Sequence, residues 1–272
     1  MEIGTVAYKD FELEYKLFGK GSEYILAFHG VGREADDFKI FEKNLGEKYT
    51  IVAVNLYHHG NSVYPDNRMF DNQISKKEFI EHIEQLLNQL KIERFSIMGY
   101  SLGGRVALTC IQLFYKRINK IILIAPDGLK TSHYNNFVTR TNIGKNYIKW
   151  VVKKPEEFFG LIDRLHSYKI VNNRTKRMIN FHFETHEKRV LLRNVISSFK
   201  NIVPNISQVT RHINKYNIEI VMVFGKHDFI IPIKLGTRFL KRIRSKKQLH
   251  IIEASHNILT ENASKALSEL IR

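Results

Sequence analysis

Ser101 stands in "FSIMGYSLGGRVAL", Phe95 to Leu108, where alternating apolar residues run through a serine bracketed by Gly99 and Gly103 into a helix-like pattern. A serine on a sharp strand-to-helix turn projects its hydroxyl clear of the backbone. Such a hydroxyl becomes a nucleophile when a base takes its proton, an acid orients that base, and donors receive the developing oxyanion. A Gly-x-Ser-x-Gly match alone arises by chance on the order of 0.1 times in a chain this long, so the rest of the sequence has to decide. Asp228, in "FGKHDFIIP", falls just after the apolar run "IVMVF", and His256, in "EASHNIL", just after "HIIEA". Both are strand-end positions, where open α/β sheets carry their functional loops.

The elements that must position these residues follow from hydrophobic period. "TVAYKDFELEYKLFG" predicts two short strands joined at Lys9 and Asp10. "EYILAFHG" and "YTIVAVNL" are continuous apolar runs, which suit strands covered on both faces. Between them, Phe38, Phe41 and Leu45 have helical spacing over 35–47. Ser75 and Glu78 form a capping-box signature for a helix running to about Leu90. "RFSIM" then leads into the Ser101 turn and a helix from about Gly103 to Tyr115, followed by "NKIILIAP". After a long interval come "IEIVMVFG", a helix over 234–244, "KQLHIIEA" and a closing helix from about Glu261 to Ile271. Strands alternating with helices predict an α/β protein with a mostly parallel central sheet flanked by helices.

Taken together, these segments resemble an α/β-hydrolase fold protein of the serine-nucleophile type with an inserted helical cap. "FHGVG" resembles that superfamily's oxyanion turn, "GYSLGG" its nucleophile elbow, "GKHDFIIP" its acid loop and "SHN" its histidine loop, in the order serine, acid, histidine. The resemblance implies Ser101 as nucleophile, Asp228 as orienting acid and His256 as base, with the backbone N–H groups of Val31 and Leu102 as the oxyanion hole. It implies no cofactor. It also implies a core in two parts, 1–128 and 217–272, around a helical cap at 129–216. One loop departs from the pattern: where many members carry Asp-x-x-Gly-x-Gly-x-Ser, this chain reads "NLYHHGNS", with Asn55 at the acid position and His58 near the first glycine.

The other histidines have duller readings. His29 belongs to the turn, His58 and His59 to a loop, and His227 neighbours the acid; His182 and His186, four apart, lack the further ligands of a metal site. Gly99, Gly103 and Gly104 do not fit a dinucleotide-binding spacing, and no phosphate-binding loop is present. The single cysteine, Cys110, reads as a core residue.

Charge is uneven along the 272 residues. The net charge is +16, and residues 130–216 hold 17 Lys or Arg against 5 Asp or Glu. Lys153, Lys154, Arg174, Lys176, Arg177, Lys188 and Arg189 are either a solvated face or a surface for an anionic partner: an acyl-CoA, an acidic acyl carrier protein or an anionic membrane. Nucleic acid is disfavoured because no binding motif or stacking platform is evident. The first residues lack a basic then apolar leader, and no apolar run approaches 18 residues, so a cytoplasmic protein is expected.

The expectation is therefore a serine hydrolase cleaving an ester or thioester of a small or medium acyl group. A carbon–carbon bond hydrolase or a lysophospholipase would use the same triad. A catalytically silent receptor or scaffold, binding an acidic partner through the cap, is the alternative of another class.

Overall fold

The computed structural model describes residues 2–69, 72–130 and 141–271. Among them, eight strands form one sheet: β1 (Glu2–Tyr8), β2 (Phe11–Phe18), β3 (Glu23–Phe28), β4 (Tyr49–Val54), β5 (Phe95–Tyr100), β6 (Ile118–Ile124), β7 (Glu219–Gly225) and β8 (Lys247–Ile252). Their order is β1-β2-β4-β3-β5-β6-β7-β8. The β1–β2 and β2–β4 pairs are antiparallel, and every pairing from β4 to β8 is parallel. The opening hairpin turns at Lys9, whose φ is 55°.

Strand alternation sorts the side chains into two apolar layers. Leu26, Phe28, Phe95 and Ile97 face one side, where they meet α2 (Lys76–Gln89) and α3 (Leu102–Phe114). Ile25, Ala27, Met98 and Tyr100 face the other, with Phe38 and Phe41 and with α10 (Glu261–Ile271). Helix α2 begins with the expected reciprocal cap between Ser75 and Glu78. The interval 35–47, read as one helix, is instead a 3₁₀ helix at Ala35–Phe41 followed by a single turn, α1 (Glu42–Leu45). Its geometry is set by tethers: Asn55 Oδ1 accepts the Ala35 N–H at 2.7 Å, and a Cβ on Gly46 would meet the Gly19 backbone at 3.1 Å, so the chain must turn there.

Between β6 and β7 lie α4 (Asn142–Lys153), α5 (Pro155–Ser167), α6 (Asn173–Phe183), α7 (His186–Ser198) and α8 (Ile206–Lys215). The 131–140 portion of the expected insertion lies outside the described residues. Trp150, Phe158 and Phe159 pack with Val151, Ile162 and Phe183 in a small apolar cluster of their own, separate from both sheet layers. Helix α8 joins the main layer instead through Val209 and Ile213, beside Phe199 and Ile202. After β7, helix α9 (Ile233–Leu240) ends short of the 234–244 expected from the sequence, because Asn214 accepts the Arg244 N–H and Ser245 bonds to the Ile218 carbonyl, drawing the chain back to the sheet.

Candidate active site

Ser101 begins where β5 ends, with φ 52° and ψ −117°, a backbone conformation that costs a non-glycine residue free energy. It is held by its neighbours: its N–H donates to the Ile124 carbonyl at 3.0 Å, and its own carbonyl accepts from Gly104 at 2.9 Å and Asp127 at 2.8 Å. The flanking glycines serve approach and not φ, since the positive φ falls on the serine itself. A Cβ on Gly99 would lie 2.4 Å from the Gly103 carbonyl oxygen, and one on Gly103 would lie 1.9 Å from that of Phe28. Gly104 is equally close to Pro126, at 2.4 Å. Helix α3 therefore sits almost against β5 and the end of β3, which aims the serine out at the carboxyl end of the sheet.

Asp228 lies between β7 and α9 with its carboxylate fully buried. Its Oδ1 accepts the N–H groups of Ile230 and Ile231 at 2.8 and 2.9 Å. Its Oδ2 lies 2.7 Å from His256 Nδ1, and His256 Nε2 lies 3.0 Å from Ser101 Oγ. An ionised carboxylate can only accept, so the proton of the neutral imidazole belongs on Nδ1 and the Nε2 lone pair faces the serine hydroxyl. The acid and histidine loops are joined by backbone bonds from Lys226 to Ile252 and from His227 to Ala254. A side chain on Gly225 would strike the Ser255 and Ala254 carbonyls. His227 itself turns outward to Glu253, at 2.6 Å.

Tyr100, which sequence reasoning missed, braces the histidine. Its hydroxyl donates to the His256 carbonyl at 2.8 Å, and its ring stacks on the imidazole with centroids 5.5 Å apart. Burial pushes its hydroxyl pKa to about 12, so it remains a donor. Position in the sequence carries no sign of this, because the contact joins the end of β5 to a loop 156 residues away.

The turn at 29–32 presses on the same spot: a Cβ on Gly30 would be 3.1 Å from the Ser101 Cβ. Val31 is the next residue of that turn, and Leu102 is the first residue of α3, where helix N–H groups lack intrahelical partners. The turn is fixed by two buried histidines. His29 donates from Nδ1 to the Gly30 carbonyl at 2.7 Å and accepts the Leu56 N–H at Nε2. His59 accepts the Gly32 N–H at 3.0 Å and bonds to the Tyr57 carbonyl. Burial drops the His29 pKa to about 3 and lowers that of His59 as well.

The departing loop is a structural support. Asn55 bonds to Glu14, a buried carboxylate that Asn61 also reaches through its backbone and side chain. Burial pushes the Glu14 carboxyl up, but the bonds from Asn61 and Asn55 outweigh it and the net shift is downward. His58 takes φ 71° at the position near the family's first glycine and contacts Ser198 Oγ at 2.7 Å. The strand pattern "FELEY" gave no sign that Glu14 would be buried while Glu12 stays exposed.

Helix α6 lies beside these loops. The Arg174 guanidinium sits 5.4 Å over the ring of Phe229, next to Asp228. His182 is lowered in pKa by burial and then by His256. His182 lies in the last turn of α6 while His186 opens α7, so the two histidines do not share a helix. Among the described residues no cluster of three metal-ligating side chains occurs. Cys110 is buried, and burial raises its thiol pKa.

A family model described as serine aminopeptidase, S33, matches residues 20–263, and the chain belongs to that family of α/β hydrolases. Human monoacylglycerol lipase ABHD6 is 23% identical, covering 100% of this chain and 81% of that protein. Putative esterase/lipase 2 of Mycoplasma pneumoniae is also 23% identical, covering 79% of this chain and 74% of its own length. An uncharacterized protein of Mycobacterium bovis is 30% identical over 115 residues; the match spans about a third of that longer chain (32%) and 42% of this one. A thermophilic esterase from Thermogutta terrifontis superposes with a TM-score of 0.70 at 17% identity, covering 100% of this chain and 98% of the other. A thioesterase domain from the curacin biosynthetic pathway does so at 0.67 and 14%, covering 100% and 99%. No helix among the described residues is long and apolar enough to cross a membrane.

Proposed function

We propose that the protein is a serine hydrolase cleaving an ester or thioester of a small or medium acyl group through an acyl-enzyme. The observation that carries this reading is the unbroken series from the buried Asp228 through His256 to Ser101, at 2.7 and 3.0 Å, ending on a strained serine. His256 Nε2 takes the serine proton as Oγ attacks the carbonyl, and returns it to the leaving group. The same nitrogen then activates the water that releases the acid. Asp228 holds the tautomer and stabilises the imidazolium. The N–H groups of Val31 and Leu102 receive the oxyanion, each contributing about 3 kcal/mol to the transition state. Residues 129–216 act as the cap over the acyl site. Relatives named as an esterase/lipase and a lipase lend weight to ester substrates.

The test is intact mass after treatment with a fluorophosphonate probe, followed by an ester and thioester panel graded in chain length. A single adduct on wild type and none on Ser101→Ala is expected, with kcat lowered on the order of 10⁴-fold or more by that substitution. Folded wild type that takes no adduct and hydrolyses nothing would overturn the reading in favour of a silent binding scaffold.

A further inference from the structure

We propose that the turn joining α5 to α6, with Tyr168 and Ile170 at its apex, docks this protein on an anionic lipid surface, where the site proposed above meets amphiphilic esters. The last clause rests on the proposed function; the docking does not. Tyr168 and Ile170 are 76% and 70% exposed, among the most exposed of the described large apolar side chains. The turn is nevertheless ordered by its own bonds. Lys169 takes φ 59°, Ile170 and Val171 donate to the Leu165 carbonyl, and His166 Nδ1 bonds to the Val171 carbonyl. This is a helix-ending motif whose apolar residue after the left-handed position usually folds back on its helix. Here that residue, Ile170, points to solvent instead. Leu161, 44% exposed and seven positions before Tyr168, extends the apolar strip along the same face of α5.

The surroundings are cationic. From Arg164 to Arg177 there are five Lys or Arg and no Asp or Glu. Of these, Lys176 is paired with Asp163 and Arg174 covers Phe229, while Arg164, Lys169 and Arg177 are exposed. Basic side chains around protruding apolar ones match an interface of anionic headgroups over acyl chains. An acidic protein would supply the charge, but a protruding tip needs a preformed pocket in a rigid partner, whereas a fluid surface adapts to it. The location suits the chemistry. Arg174, only four residues beyond Ile170, already sits over the ring that follows Asp228. Seating the tip in lipid brings the acid loop to the surface.

The experiment is co-sedimentation with phosphatidylcholine vesicles, with and without phosphatidylglycerol, at low and high salt. It uses wild type, Tyr168→Ser/Ile170→Ser, Lys169→Glu/Arg177→Glu and the inert Ser101→Ala. Wild type and Ser101→Ala are expected to bind anionic vesicles about ten-fold better than zwitterionic ones, with loss at high salt. Both tip variants should lose about five-fold or more of that binding while hydrolysing a short water-soluble ester as wild type does. Absence of binding to anionic vesicles, or equal binding by the Tyr168/Ile170 variant, overturns the proposal. So does binding of an acidic acyl carrier protein, but not vesicles, through the same residues. If vesicles bind while every ester is left intact, the docking stands and the catalytic reading falls.

Discussion

The Tyr100 hydroxyl links the strand that leads into Ser101 to the loop that carries His256. It donates to the His256 carbonyl while its ring lies along the imidazole and against Gly30, whose Cβ would meet it at 3.2 Å. Tyr100→Phe keeps the ring and leaves a carbonyl short of a donor, a change costing about 1–3 kcal/mol if that oxygen stays buried. Because the lost bond fixes the imidazole and not the substrate, kcat per titrated active site is expected to fall roughly ten-fold with KM within about two-fold. The downfield proton resonance expected for His256 Nδ1–H bound to Asp228 should broaden or move. An unchanged kcat and an unchanged resonance would reduce Tyr100 to packing. That Ser101, Asp228 and His256 would meet was legible in sequence, because each follows an apolar run and parallel strands bring those ends to one edge. Tyr100, Glu14 and the positive φ of His58 were not, since each is defined by a partner 41 to 156 residues away or by backbone shape.

At the scale of elements, glycine placement decides where α3 can lie. Gly103→Ala would drive a methyl carbon to within 1.9 Å of the Phe28 carbonyl oxygen, a backbone atom with nowhere to go. Its helix must retreat from β3, carrying the first turn of α3 and the serine with it, at a cost of at least about 1–3 kcal/mol. Gly160, inside α5, has nothing within 4 Å of its Cβ position. Gly160→Ala should therefore stabilise by roughly 0.5–1 kcal/mol through backbone entropy alone. Urea unfolding of the two variants is expected to shift in opposite directions, and only Gly103→Ala should also lose probe labelling at Ser101. The strands and α2, α3 and α10 were readable because hydrophobic period, joined in α2 by the Ser75–Glu78 cap, fixed them locally. The helix read over 35–47 and the end of α9 were not, because side chains of Asn55 and Asn214 from other elements set those backbones.

Over the whole molecule, the fold holds several histidines in a neutral form that acid must attack. Burial lowers the pKa of His29 to about 3 and that of His58 to about 4, and lowers His59 too. Below their ordinary value of 6.5 the unfolded chain takes up protons that the folded chain refuses. Stability is then complete above about pH 6.5 and declines as pH falls toward those folded values, by about 1.4 kcal/mol per pH unit for each such proton. A second loss follows at lower pH from Glu78. Its hydrogen bond from Arg68 holds its pKa at about 2 against an ordinary 4.5, so its contribution, full above 4.5, disappears as pH falls through 2. The net charge of +16 adds self-repulsion in the same direction. Denaturant unfolding measured between pH 7 and 4 should show a steep loss beginning near pH 6.5. His58→Asn isolates one proton of it, since asparagine tolerates the positive φ of 71° at that position. Its curve is expected to start below wild type at pH 7, because the imidazole contacts with Ser198 and Tyr64 are lost, and to fall less steeply between pH 6.5 and 4. Parallel curves for the two proteins would mean that His58 is protonated as readily in the folded chain as in the unfolded one.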